Sequence, residues 1–184
     1  MRENRNVIIL CSKAIVDLHQ GKISESETKI ENAKTLLDDL KKYAKTDLER
    51  VIFTAEQEYV EAIVLKAIIK EIEILSIDEI GVSNSAYLNG ILDCIGEVKR
   101  LTYDKMRNGD FDVAMKLFEK IQEIYNLVYP FAIYDNIVSG IRRKLDIGRM
   151  LIEDVRELIT EETRRMMLIN KMDAFESKNT KLFL

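Results

Sequence analysis

The chain has 184 residues, enough for one good-sized domain, with 28 basic and 32 acidic side chains and a net charge of -4. This balance argues against a sequence-specific duplex-DNA binder, which usually carries a basic excess. One proline, seven glycines and no tryptophan leave few backbone breakers, which speaks against a strand-and-turn fold. A hydrophobic fraction of 47% with 33% charge excludes a disordered chain. Cys11 and Cys94 are too few for a disulfide or zinc framework and read as reduced core thiols of a cytoplasmic protein. Lys66 and Lys70 interrupt the longest apolar run, so no membrane span is expected. The start, Met1-Arg2-Glu3-Asn4-Arg5, leads into an amphipathic helix without a signal-cleavage pattern.

In chain order, the first helix is expected over Asn4 to His19, with Val7, Leu10, Cys11, Ala14, Ile15 and Leu18 on one stripe and Gly21 as its stop. Ser24, with Glu27 three residues on, is placed as the capping box of a second helix carrying Ile30, Ala33, Leu36, Leu37 and Leu40. A third helix is expected from Thr46 or Asp47 to about Leu75, followed by a loop over Ser76 to Asn84. A fourth helix is expected from Ser85 to about Arg107. Asn108-Gly109-Asp110 reads as a tight turn with a cap for a helix over Phe111 to Tyr129, which Pro130 stops. One or two helices fill Ile133 to about Phe175, with Gly140 and Gly148 as weak points. The expected fold is all-α, a single-domain antiparallel bundle of about six or seven helices over residues 1–175, with a flexible tail over 176–184.

Two pairs of acids stand inside apolar helical stretches. Glu58 and Glu61 are three residues apart, and Asp93 and Glu97 four apart, so each pair shares a helix face. Carboxylates among Ile, Val and Leu are costly to bury without compensation. A divalent cation is the simplest compensator of four clustered negative charges. With His19 the sole histidine, an all-carboxylate site points to Mg²⁺ or Mn²⁺ rather than to iron or zinc. Spacing alone does not separate this reading from ordinary ion pairs, such as Glu97 with Arg100 or Glu61 with Lys66. Glu153/Glu157 and Glu157/Glu161 show the same spacing and are expected to face solvent. The context of the first two pairs differs. Positions 86, 90, 93, 97, 100 and 104 place Ala, Gly, Asp, Glu, Arg and Asp on one stripe beside an apolar one, like a cavity wall next to a core. The run Arg142-Arg143-Lys144 reads as a solvated face balanced by Asp146, Glu153 and Asp154.

Three stretches carry a family resemblance: Gln57-Glu58-Tyr59-Val60-Glu61-Ala62; Tyr87-Leu88 with Gly90, Asp93, Gly96-Glu97 and Arg100; and Asn108-Gly109-Asp110. Together with the helix over Tyr134 to Leu158, they resemble the translin/TRAX family, in its TRAX-like branch. The resemblance implies an all-α subunit of a closed octameric shell, and a magnesium-dependent endoribonuclease cutting single-stranded RNA inside it. Glu58 and Glu61 fall on the TRAX acidic pair, Asp93 on its aspartate and Glu97 on a further acid of that cavity. The translin branch lacks the acidic pair and the aspartate, and binds nucleic acid without cutting. This chain is shorter than the TRAX proteins, and one chain type then does the work of two, so a homo-oligomer is expected.

The expected chemistry is Glu58, Glu61, Asp93 and Glu97 holding Mg²⁺, with Mn²⁺ as a substitute, which orients a water and neutralises developing charge on a phosphodiester. Lys66, Lys70 and Arg100 are the candidate phosphate contacts. Removing a carboxylate from the cluster, Glu61 or Asp93, is expected to hold or raise stability by relieving repulsion. The competing readings are a non-catalytic single-stranded nucleic-acid-binding oligomer and a ligand-free helical scaffold.

Overall fold

The structure is a computed structural model describing residues 2–43 and 49–180. In it α1 (Arg2–His19) and α2 (Ile23–Tyr43) form an antiparallel hairpin joined by three residues. Val7, Cys11, Ala14, Ile15 and Leu18 of α1 are buried, as the stripe predicts, and Leu10 is half-buried. Gly21, at φ +73°, closes α1: the Lys22 N–H reaches the Asp17 carbonyl at 2.9 Å and the Gly21 N–H the Leu18 carbonyl at 3.1 Å. Because α2 already begins at Ile23, Ser24 lies in its first turn rather than before it. Glu27 pairs instead with Lys70, at 2.6 Å.

Helix α3 (Glu49–Ile69) ends six residues before the expected Leu75. The apolar period continues through Ile72, Ile74 and Leu75, but Glu71 takes a left-handed φ of 53°. The Ile72 N–H then closes on the Ala67 carbonyl at 3.0 Å, the same stop made at Gly21 but with a side chain present. The expected start at Thr46 or Asp47 lies outside the described residues. The expected loop contains a short helix, α4 (Ile77–Ile80), with a full capping box between Ser76 and Glu79. Ser83 then caps α5 (Asn84–Arg107), its hydroxyl accepting from the Ala86 N–H.

After the turn at 108–110 comes α6 (Phe111–Val128). Asp110 stands at its cap position but makes no cap hydrogen bond, its carboxylate lying 3.3 Å from Lys105 instead. Pro130 falls in the first turn of a 3₁₀ helix (Tyr129–Tyr134), which takes over where α6 stops. A single helix, α7 (Ile141–Thr180), fills the remainder, running uninterrupted through Gly148 and through 176–180, five residues beyond Phe175. Residues 181–184 of the expected tail lie outside the described residues. No strand occurs among the described residues.

α3 lies between the α1–α2 hairpin and α5, and α5 packs in turn on α6 and the first half of α7. One continuous apolar core runs through these helices. Cys11 and Cys94 are buried in it as free thiols, and burial pushes the Cys11 thiol up to about 12. From residue 164 to 176 every side chain of α7 is exposed, including Met166, Met167, Leu168, Ile169, Met172 and Phe175. No helix among the described residues is long and apolar enough to cross a membrane.

Candidate metal centre

The site forms where α3 and α5 cross, and Gly90 sets how closely they approach. A Cβ on Gly90 would stand 2.6 Å from the Gln57 carbonyl oxygen and 2.7 Å from the Val60 Cβ, closer than atoms tolerate. One turn along α5, Gln57 Nε2 donates to Asp93 Oδ2 at 2.5 Å and ties the helices together. The close crossing brings the two acid pairs together. Glu61 is pushed up to about 8, first by burial and then by the charges of Asp93, Glu58 and Glu97. Glu58 is raised from its ordinary value by burial first and then by Asp93, with Lys144 opposing and Glu97 adding. The four sequence-predicted acids therefore form one electrostatic cluster.

Their partners differ by helix. Among the described residues Glu58 and Glu61 make no hydrogen bond or ion pair. Asp93 takes the Lys144 ammonium on both oxygens, at 2.6 and 2.5 Å. The same ammonium donates to the Asn89 carbonyl at 3.3 Å. Glu97 accepts from His19 Nε2 at 2.6 Å, with Arg100 further off at 3.9 Å. The His19 hydrogen bond is the chief reason the Glu97 carboxyl is held below its ordinary value. His19 has only 4% of its side chain exposed, and its Nδ1 has no partner among the described residues.

The basic residues expected to meet phosphate divide. Arg100 stands beside the cluster and is 59% exposed. Lys70 is bound to Glu27 across the α2–α3 face, and the charge of Lys66 also acts on Glu27. The expected alternative pairing of Glu61 with Lys66 does not occur among the described residues. Glu153, Glu157 and Glu161 are exposed, as expected.

Three residues of the site escape the sequence reading. His19 ends α1, 78 positions from its partner, and no local pattern links the two. Gln57 is visible only as a neighbour of Glu58. Lys144 sits in the run read as a solvated face. Arg142 and Arg143 are indeed exposed, but buried Ile141 and Leu145 turn Lys144 inward toward Asp93. The rest of that reading holds in part, with Arg149 on Asp146, Arg156 on Glu153 and Lys99 on Asp154.

The donor set is chemically suited to a hard divalent cation: carboxylate oxygens alone, from four side chains of which two have no partner among the described residues, and too little positive charge to balance them. Among the described residues, however, no three of these side chains are disposed around a common point as ligands. The cation present within the cluster is Lys144.

An all-helical bundle with a carboxylate cluster at the crossing of its two central helices is the class this structure defines. The sequence model of the Translin family matches residues 2–159, and the chain belongs to that family. It is similar in structure to AfC3PO (TM-score 0.78, 32% identity, 90% of this chain and 88% of that one). It is similar to the same protein in its complex with duplex RNA (TM-score 0.77, 32% identity, 90% and 88%). Apo-NeC3PO is a further likeness (TM-score 0.75, 27% identity, 86% and 85%). In sequence it is 32% identical over 101 residues to an uncharacterised protein of Methanocaldococcus jannaschii. That match takes in 54% of this chain and 45% of the relative's length.

Proposed function

We propose that this chain is a TRAX-like, Mg²⁺-dependent endoribonuclease that cuts single-stranded RNA within a closed cytoplasmic homo-oligomer, an octamer. The observation that carries the reading is that Glu58 and Glu61 of α3 and Asp93 and Glu97 of α5 lie near enough at the helix crossing for their charges to act on one another, with two of the four left without partners. RNA as the substrate class draws support from the family and from the solved complex of AfC3PO with duplex RNA. A single strand is the preferred form, because its flexible backbone can thread into a closed shell where a duplex cannot.

Glu58, Glu61, Asp93 and Glu97 would hold the ion. When bound, Mg²⁺ supplies charge neutralisation at a phosphate and lowers the pKa of a water. The chain's own residues prepare the oxygens. Gln57 fixes the orientation of the Asp93 carboxylate, and His19 fixes that of Glu97 and keeps it ionised. Arg100, exposed at the rim, is placed to meet a phosphate. Lys70, bound to Glu27, and Lys66, whose charge also acts on Glu27, serve that purpose less well.

The homo-oligomer draws support from two exposed apolar areas. One is the far half of α7; the other is the end of α6 and the connection after it, with Leu127, Tyr129, Phe131, Ile133, Tyr134 and Ile137. Light scattering at micromolar concentration tests this, and a stable monomer overturns it.

The second reading, a non-catalytic binder of the translin type, is favoured by one observation: Asp93 already has its counter-ion in Lys144. Labelled single-stranded and duplex RNA, each with Mg²⁺, Mn²⁺ or EDTA, separates the two. Metal-dependent cleavage of the single strand supports the nuclease. RNA binding in every buffer with cleavage in none establishes the binder.

A further inference from the structure

The ammonium that meets Asp93 comes from a helix that carries none of the four acids. Lys144 reaches from α7 across to α5, and its three contacts, two Asp93 oxygens and the Asn89 carbonyl, use the three donors of an ammonium. With Gln57 also on Oδ2, three of the roughly four acceptor positions of that carboxylate are taken. A divalent cation ligated by Asp93 would need the same oxygens, at about 2.0–2.1 Å for Mg²⁺. It would also stand within a few ångströms of a like-charged ammonium, in a half-buried place where screening is weak.

We propose that Lys144 and the divalent cation are alternative counter-ions for Asp93, so that the cation is admitted only when Lys144 lets go. The proposal rests on the reading of the cluster as a cation site and adds a competitor to it. The fold provides somewhere for the side chain to withdraw. A cleft of about 400 Å³ opens beside it, lined by Asp93, Gly140, Arg143 and Ile147 among others. The buried neighbours Ile141 and Leu145 hold the α7 backbone in place, so the motion is one of side-chain rotamers rather than of the helix. Once released, the ammonium remains at the mouth of the site, where a phosphate would approach.

The test is calorimetric titration of Mg²⁺ into the full-length protein, wild type against Lys144→Met, with Lys144→Arg as the charge-retaining variant. Melting temperature in EDTA and in Mg²⁺ is read alongside. Lys144→Met should bind Mg²⁺ about tenfold more tightly or better, as expected when one unit charge leaves contact with the ion. It should melt lower than wild type in EDTA and show a larger rise on adding Mg²⁺. Lys144→Arg should bind no more tightly than wild type. If Lys144→Met does not fold, Lys144→Gln, which retains a hydrogen-bond donor toward Asp93, takes its place. Equal or weaker Mg²⁺ binding by the neutral variant, with wild type binding normally, overturns the competition and leaves the metal site standing. No Mg²⁺ binding by either protein overturns the metal reading, and the competition with it.

Discussion

The two helices that face each other across the site treat their acids in opposite ways. On α5, Asp93 and Glu97 each have a partner from elsewhere in the bundle, the Lys144 ammonium from α7 and the His19 ring from α1. On α3, Glu58 and Glu61 have none, and the Glu61 carboxyl is pushed up to about 8. Glu56, two residues before Glu58 on the same helix, shows that α3 can satisfy an acid. It accepts from the Ser83 amide and hydroxyl at 3.1 and 2.7 Å and pairs with Lys41 at 3.0 Å. A buried acid with three partners reads as a structural clamp, here pinning the start of α5. Two neighbours with none read as a site awaiting a charge from outside the chain.

The largest effect expected is on catalysis. Glu61→Ala and Asp93→Ala should each lower Mg²⁺-dependent RNA cleavage by about 10²–10³-fold or more, the several kcal/mol attributed to a metal's charge stabilisation. RNA binding and assembly should persist, since these rest on phosphate contacts and on other surfaces. Cleavage by both variants at the wild-type rate would erase the functional contrast between these acids and any surface pair.

Next comes the crossing itself. Gly90→Ala gains helix propensity of about 1 kcal/mol, yet its methyl group would collide with backbone as well as side chain on α3. Overpacking of this kind costs about 1–3 kcal/mol. We expect a net loss, a melting temperature lower by a few degrees, and weaker Mg²⁺ binding as the helices move apart. An unchanged melting temperature would show that the crossing is not tight.

A smaller effect has opposite signs on the two helices. Glu61 has an ordinary value of 4.5 and a folded value of about 8. Between those pH values the unfolded chain releases its proton before the folded one does, so stability in EDTA should fall as pH rises through that window and level off above it. Glu61→Gln should remove this fall and melt above wild type at pH 8 in EDTA. Asp93→Asn should melt below wild type, because it leaves the half-buried Lys144 ammonium without its counter-ion. The sequence alone suggests that removing either carboxylate relieves repulsion. The structure keeps that expectation for Glu61 and reverses it for Asp93. Thermal melts of both variants across pH 4–9 check the signs, and equal shifts in the same direction would contradict the contrast.

The smallest effect is the control. Glu157, exposed on α7, should tolerate alanine within about 0.5 kcal/mol and cleave RNA as wild type.

How far the sequence reaches differs between these features. The helical period and the scarcity of breakers make most elements legible, because both are local. The stop at Ile69 is not, since it depends on Glu71 adopting a backbone conformation that its side chain disfavours. The capping box Ser76–Glu79 was legible in principle: a serine with a glutamate three residues on is a start signal, though a four-residue helix is too short to show a period. The four acids stood out because charge inside an apolar stripe demands an explanation. Their partners did not, because His19 and Lys144 come from helices 78 and 51 residues away in sequence. Which member of an Arg-Arg-Lys run faces inward is decided by packing rather than by composition.

Electron paramagnetic resonance of Mn²⁺ titrated into wild type and into the Glu58→Gln/Glu61→Gln double variant tests the central claim most directly. The account predicts that Mn²⁺ is bound by wild type and released by the variant, while both remain folded and helical. Equal Mn²⁺ binding by the two proteins would show that the unpaired acids of α3 do not hold the cation.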